Sequence, residues 1–259
     1  MDGTGFWARG RCFVPRFFLS PQAVRGTKAR IEGRDAHHLL RVLRLGSGDP
    51  LEISVAGRVY QTRISSCEDD AVVLEVLSQL SASHEPPVRI TLWQGLCKGD
   101  KPEMVTQKAV ELGAHRVVFF DSRFSVVHWP PDRADKKVRR LQRIAEEAGK
   151  QSQRDVIPEV LGPKTFSSLL AELAGCPGLI LMPWEHENAV NLRSLDVEPP
   201  LEISVLIGPE GGFHPDEVQA IHELGGHTVS LGPRILRTET AGLVVLSIIG
   251  YRWGDLGSA

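Results

Sequence analysis

The sequence predicts an α/β protein in two parts: a module of short strands, then a domain built on a parallel sheet with helices on both faces. Three observations carry this reading. Residues 50–80 alternate apolar and polar side chains around polar turns. "SASHEPPV", Ser81 to Val88, holds two prolines and little apolar content, as a linker does. Beyond it, strand-like apolar runs alternate with segments of helical period, the signature of a covered parallel sheet.

In the first part, "PLEISVAGRVYQTRISS" turns at Gly57, and "AVVLEVLSQL" follows a turn at Asp69-Asp70. Short strands of this kind build a small barrel or a sandwich. After the linker, "VRITLWQGL" reads as a strand. "KPEMVTQKAVELGA" reads as a helix, with Pro102 in its first turn and Gly113 as its stop. "RVVFFDS" is the next strand. "DRADKKVRRLQRIAEEAGKQS" is a second helix, with Val138, Leu141, Ile144, Ala145 and Ala148 on one face. "PGLILMPWE", "LEISVLIG" and "HTVSLG" are further strands.

Composition excludes several classes. At 42% hydrophobic and 24% charged residues the chain reads as an ordinary globular protein. No apolar run reaches the length of a membrane-spanning helix, and the N-terminus lacks the apolar core of a secretory signal. Cys12, Cys67, Cys97 and Cys176 are scattered with no C-x-x-C, so neither a zinc site nor a disulfide framework is signalled, and a reduced, cytoplasmic setting is expected. The net charge of −2 hides an asymmetry: nine arginines and lysines between Arg9 and Arg44 face only Glu32 and Asp35, a local net of +7. Such a segment suits a polyanion, or is a solvated basic face.

Three strand ends carry unusual residues: "LMPWE", "IGPEGG" and "LGPR". Ligands of open parallel sheets bind beyond the carboxyl ends of strands. Glycines there admit a ligand to the backbone and prolines fix the corner, although Gly-Pro is also a common turn. G-x-G-x-x-G, the P-loop pattern and H-E-x-x-H are all missing, which disfavours dinucleotide enzymes, P-loop NTPases and a metal site. His214, His222 and His227 read as surface or capping residues. Arg234 and Arg237, between a strand and a helix, suit a phosphate or a developing anion. Thr238 is placed to cap that helix, with Glu239 in its first turn. "AGLVVLSIIGYRW" is apolar on nearly every face, which predicts burial in the core or in a self-association surface.

Taken together, "FVPRFFL", "HHLLRVLRLGSGDPLEI", "KGDKPEMVTQKAVELGAHRVVFFDS", "EEAGKQSQRDVIPEV", "LIGPEGGFHPDEV" and "LGPRILRTETAG" resemble the RsmE family of rRNA methyltransferases, within the SPOUT class. The resemblance runs from about Val14 to Gly254 and leaves residues 1–12 outside, to be read as an extension or as the mark of a different start site. It implies a PUA-like RNA-binding β-barrel over residues 1–82, a linker at 83–88, and a SPOUT α/β methyltransferase domain with a deep trefoil knot over 89–259. It further implies S-adenosylmethionine as cofactor, a uridine N3 of 16S rRNA as target, in free RNA or the assembled small subunit, and a homodimer with the active site at its interface. No metal and no membrane are expected.

Three loops would hold the cofactor: Leu181, Met182 and Pro183; Ile207, Gly208, Pro209, Glu210, Gly211 and Gly212; and Leu231 and Gly232 with Ile235 and Leu236. Two departures from the family pattern stand out: Lys150 and Gln153 in "GKQSQRD", and His214 where a serine commonly caps the helix. For catalysis, arginine stays protonated and cannot act as the base. Arg237, with Arg234 beside it, is expected to stabilise the uridine anion through O2 or O4, with Glu239 orienting Arg237 and Glu239 or Glu210 accepting the proton. RNA contact is expected from Arg16, Arg41, Arg44, Lys98, Lys101, Gln151 and Arg154, while the basic helix face of Lys136, Lys137, Arg139, Arg140 and Arg143 reads as solvated. Two rival readings are a SPOUT methyltransferase acting on tRNA and an RNA-binding ribosome-assembly factor without catalysis.

Overall fold

The computed structural model describes residues 14–81 and 83–257; residues 1–13, with Arg9, Arg11 and Cys12, lie outside the described residues. The chain divides into two compact units, one of residues 1–84 with 153–156, the other of 85–152 with 157–259.

The first unit contains β1 (Arg16–Leu19), β2 (Val24–Arg25), β3 (Lys28–Glu32), α1 (Gly33–His37), β4 (Pro50–Val55), β5 (Arg58–Cys67) and β6 (Ala71–Gln79). The six strands form one sheet in the order β1-β4-β5-β6-β3-β2, antiparallel except for β1 with β4. Ala56 and Gly57, both at positive φ, make the tight turn from β4 to β5. Alternation sends Phe17, Ile31, Ile53, Ile64 and Leu74 into one core, where Leu39 joins them.

The distant segment 153–156 is fastened to this unit by a buried charge cluster. Arg16 Nη2 lies 2.7 Å from Glu52 Oε2, and its Nη1 lies 2.6 Å from Asp155 Oδ1. Asp155 Oδ2 accepts hydrogen bonds from Ser83 Oγ at 2.7 Å and His84 N at 3.0 Å. Removing one partner of such a buried pair typically costs about 3–5 kcal/mol. Two expected RNA contacts are corrected here. Arg16 is 2% exposed and spent on Glu52 and Asp155, and Arg154 is 3% exposed, so neither side chain is open to RNA. Arg30, within the basic segment, is paired with Glu32 and Glu68, so part of the sequence's positive bias is neutralised locally.

The second unit contains β7 (Arg89–Gly95), α2 (Lys101–Glu111), β8 (Ala114–Asp121), α3 (Pro131–Gln151), β9 (Glu159–Thr165), α4 (Phe166–Ala174), β10 (Leu179–Pro183), β11 (Glu202–Ile207), α5 (Pro215–Glu223), β12 (His227–Val229) and α6 (Thr238–Trp253). Its sheet is parallel throughout, in the order β12-β10-β11-β7-β8-β9. Successive residues feed opposite faces. Leu92, Phe119, Leu181 and Val205 pack with α2, α3 and α6; Trp93, Phe120, Met182 and Leu206 pack with α4 and α5. Each large side chain so buried contributes roughly 1.5–3 kcal/mol. Pro102 opens α2, and Gly113 at φ +87 follows it.

From β7 the chain builds outward through β8 to β9, then returns to place β10, β11 and β12 on the other side. The order therefore reverses between β7 and β11, and the crevice belongs at their carboxyl ends. α6 buries only part of its apolar surface in this core, so of the two expected settings the core accounts for one side of the helix. Val245, Leu246 and Ile249 are buried, but Leu243, Val244 and Ile248 are half-buried and Tyr251 is exposed. Among the described residues no helix is long and apolar enough to cross a membrane.

Candidate functional site

Parallel pairing makes β10, β11 and β12 release their following loops at one edge of the sheet. At the switch point, β7 ends in Gly95 directly beneath the corner after β11. A Cβ at Gly95 would lie 2.5 Å from Pro209 N, so only glycine fits. The corner itself turns through a bond from Gly212 N to Pro209 O at 3.0 Å, with Gly212 at φ +70.

Two further ties join this corner to its neighbours. Thr238 Oγ1 donates to Gly208 O at 2.6 Å and accepts from Gln94 Nε2 at 2.8 Å. Thr238 was expected to cap α6; instead Arg237 holds the N-cap position with no side-chain cap, and Thr238 links strand, corner and helix. His214, which stands where a serine commonly caps the helix, opens α5. Its Nδ1 accepts from Asp216 N at 3.1 Å, and Glu217 Oε2 accepts from His214 N at 2.9 Å. The imidazole serves the role of the capping hydroxyl in a complete capping box.

The corners enclose a cleft of about 530 Å³. Pro183, Ile207, Gly208, Pro209, Glu210, Gly212, Leu231, Gly232, Ile235 and Leu236 line it, as do Arg234 and Arg237. The three stretches expected to converge thus share one cavity. Three expected residues do not line it. Leu181 and Met182 are fully buried in the two cores, and Gly211 faces Phe124, whose Cβ would be 2.9 Å from a Cβ there. Trp184, Glu185, Glu187 and Lys101 also line the cleft and were not among the residues expected there. For the first two the signal was present in "LMPWE", read only as a strand end. The indole Nε1 of Trp184 is a buried donor without a hydrogen-bond partner among the described residues.

The charges are arranged unequally. Lys101 Nζ is 2.9 Å from Glu210 Oε1 and 3.2 Å from Glu239 Oε2, the second an ion pair without hydrogen-bond alignment. Lys98 N also donates to Glu210 Oε1, at 3.1 Å. Partial burial pushes the Glu210 carboxyl up, but the Lys101 ammonium and the Lys98 amide outweigh it and hold the group below the usual carboxylate range. Glu210 raises the Lys101 pKa most, partial burial opposes, and Glu239 adds to the rise. Beside them, burial first and Glu210 second push the Cys97 thiol up to about 12, so it is an inert thiol at neutral pH. Glu239 therefore faces Lys101, which corrects its expected role as orienter of Arg237. Arg234 and Arg237 are exposed, and their side chains make no hydrogen bond or ion pair with a described residue. Arg41, Arg44, Lys98 and Gln151 are also exposed. Among the described residues no cluster of His, Cys, Asp and Glu has metal-binding geometry.

Comparison with known proteins gives this architecture its class. The family model described as RNA methyltransferase domain matches residues 84–250, and the RNA methyltransferase PUA domain matches residues 31–77. A mixed α/β protein with a PUA-like part and a switch-point cleft is thus of the RNA methyltransferase class. Ribosomal RNA small subunit methyltransferase E of Bacillus subtilis is 36% identical over 228 residues, covering 86% of this chain and 89% of its own. The Neisseria gonorrhoeae protein of the same name, solved bound to S-adenosyl methionine, is 30% identical with a TM-score of 0.82, covering 94% of this chain and 100% of its own. A Legionella pneumophila methyltransferase solved with bound cofactor SAM is 28% identical with a TM-score of 0.81, covering 94% and 100%. The chain belongs to the ribosomal RNA small subunit methyltransferase E family.

Proposed function

We propose that this chain transfers the methyl group of S-adenosylmethionine to N3 of a uridine in small-subunit ribosomal RNA. The observation that carries the reading is the single cleft formed by three strand-end corners at the switch point of the sheet. The cleft suits the cofactor: Gly208 and Gly212 leave main chain accessible, Ile207 and Leu236 offer apolar wall, and the Trp184 Nε1 donor is free to meet an acceptor. When bound, S-adenosylmethionine supplies an electrophilic methyl group on a sulfonium.

The chain's own residues then orient the uridine and stabilise its charge. Uridine N3 must lose a proton, which passes to solvent water at the open cleft, and the negative charge spreads to O2 and O4 until N3 bonds the methyl carbon as the sulfur–methyl bond breaks, leaving S-adenosylhomocysteine. Arg237, with Arg234 beside it, stands free at the mouth of the cleft to meet that charge. Glu210, held below the usual carboxylate range, is a poor proton acceptor near neutral pH. Arg41, Arg44, Lys98 and Gln151 supply exposed contacts for RNA.

The reading includes a homodimer. The half-buried Leu243, Val244 and Ile248, with exposed Tyr251, continue into a second cleft that also touches Gly232 and Pro233 of the cofactor corner. An apolar helix face running into the site is what a partner at the active site would cover. It also includes a cytoplasmic location, and a trefoil threading that would hold the corners in place before any ligand binds.

The test is mass spectrometry of nucleosides after incubating the protein and S-adenosylmethionine with free 16S rRNA or assembled 30S subunits. N3-methyluridine is expected in at least one of the two. Methylation solely at a ribose or at another base would contradict the reading.

A further inference from the structure

Lys101 was expected at the RNA surface, and the structure gives it a different position. It lies in the first turn of α2, just past the end of β7, while its ammonium lies among residues of two other elements. One partner is Glu210 in the corner after β11; the other is Glu239, 8% exposed, in the first turn of α6. α2 follows β7 on one side of the switch point, while the corner after β11 and α6, which follows β12, come from the other side, where Thr238 Oγ1 already joins α6 to Gly208 O at 2.6 Å. Two carboxylates on neighbouring elements repel, and the ammonium between them turns that repulsion into a bridge. The bridge spans the wall formed by Gly208, Pro209 and Glu210, and its stem lines the cleft.

We propose that Lys101 is a positioning residue for the cofactor: its ammonium, clamped between Glu210 and Glu239, fixes the corner after β11 against the first turn of α6 and so sets the width of the cleft. The proposal rests on the cofactor reading above and deepens it. Lys101 acts through the wall, so its removal weakens the cationic cofactor and its neutral product alike.

Two measurements test this on the full chain, with Lys101→Met removing the charge while keeping the stem, and Lys101→Arg restoring it. Calorimetric titration with S-adenosylmethionine and with S-adenosylhomocysteine reads the cleft. Lys101→Met is expected to weaken both by about tenfold or more, with Lys101→Arg within about threefold of the parent chain. The double variant Lys101→Met with Glu239→Gln should bind no worse than Lys101→Met alone, since both break one clamp. Unchanged affinity in Lys101→Met, or tighter S-adenosylmethionine with S-adenosylhomocysteine unmoved, would overturn the proposal, the latter by showing that the ammonium acts by direct repulsion of the sulfonium. Hydrogen–deuterium exchange on the free protein reads the clamp without any cofactor. Lys101→Met should speed exchange in residues 208–213 and 238–242, and Lys101→Arg should not. Unchanged exchange refutes the clamp whatever the calorimetry gives. Faster exchange in a protein whose parent chain binds no S-adenosylmethionine would keep the clamp and refute the cofactor reading instead.

Discussion

The two Gly-Pro corners that share the cleft are built differently. The corner after β11 is tied on several sides: Gly208 O to Thr238, Glu210 to Lys101 and Lys98, and Pro209 lies over Gly95. The corner after β12 has few ties. Gly232 N reaches Ser230 Oγ at 3.3 Å, while Arg234, Ile235 and Arg237 are exposed, Ile235 by 89%. A fixed wall suits a small ligand that must be held in one pose at every turnover. A wall of free cations and an exposed apolar side chain suits a large anionic substrate arriving from outside. Both corners line the cofactor cleft, but the proposed roles divide: the tied corner would fix the cofactor's pose, and the free corner would add the cations that meet the substrate.

The largest effect is expected where the free corner meets the reacting base. Arg237→Ala should lower turnover about 100-fold or more while S-adenosylmethionine affinity stays within about threefold. Equal loss of both would erase the distinction between the corners. The tied corner should fail in the opposite sense. Gly212 sits at φ +70, and a Cβ there would meet Glu185 Oε1 at 2.5 Å. Gly212→Ala should therefore weaken cofactor binding by about tenfold, read by calorimetry, through roughly 1–2 kcal/mol of strain. A smaller effect belongs to the exposed arginines of the first unit. Arg41→Ala and Arg44→Ala should each weaken RNA binding several-fold and lower the slope of log affinity against log salt by about 1. A slope that does not move would remove them from the RNA surface. The smallest effect concerns stability alone. His214→Ala should cost about 0.5–2 kcal/mol in denaturant unfolding, and His214→Ser should recover most of it, because either side chain can accept the capping bond.

Much of the fold was legible because burial imposes a period. The strands around Leu92, Phe119, Leu181 and Val205 and the amphipathic α3 announce themselves by apolar spacing, and α2 by Pro102 and Gly113. β9 was not legible: Gly162 and Pro163 interrupt its pattern, and the sheet accepts them because β9 is an edge strand. The short strands and helix before residue 45 lack a long enough period to be read. At the site, the corners were legible because Gly-Pro at a strand end is a backbone signal. Charge partners were not. Nothing local to Arg16 announces Asp155, 139 positions away, and nothing local to Lys101 announces Glu210, 109 positions away. Both were read as surface cations because a long-range ion pair leaves no trace in neighbouring residues. Thr238 went the same way, its hydroxyl taken by Gly208 and not by its own helix.

The central claim is that the three corners at the carboxyl edge of the sheet form one cofactor site. Its most direct test is hydrogen–deuterium exchange of the unmodified chain with and without saturating S-adenosylmethionine. Protection should appear together in residues 183–188, 207–213 and 230–237. Protection confined to one of these segments, or centred in the first unit, would contradict the account.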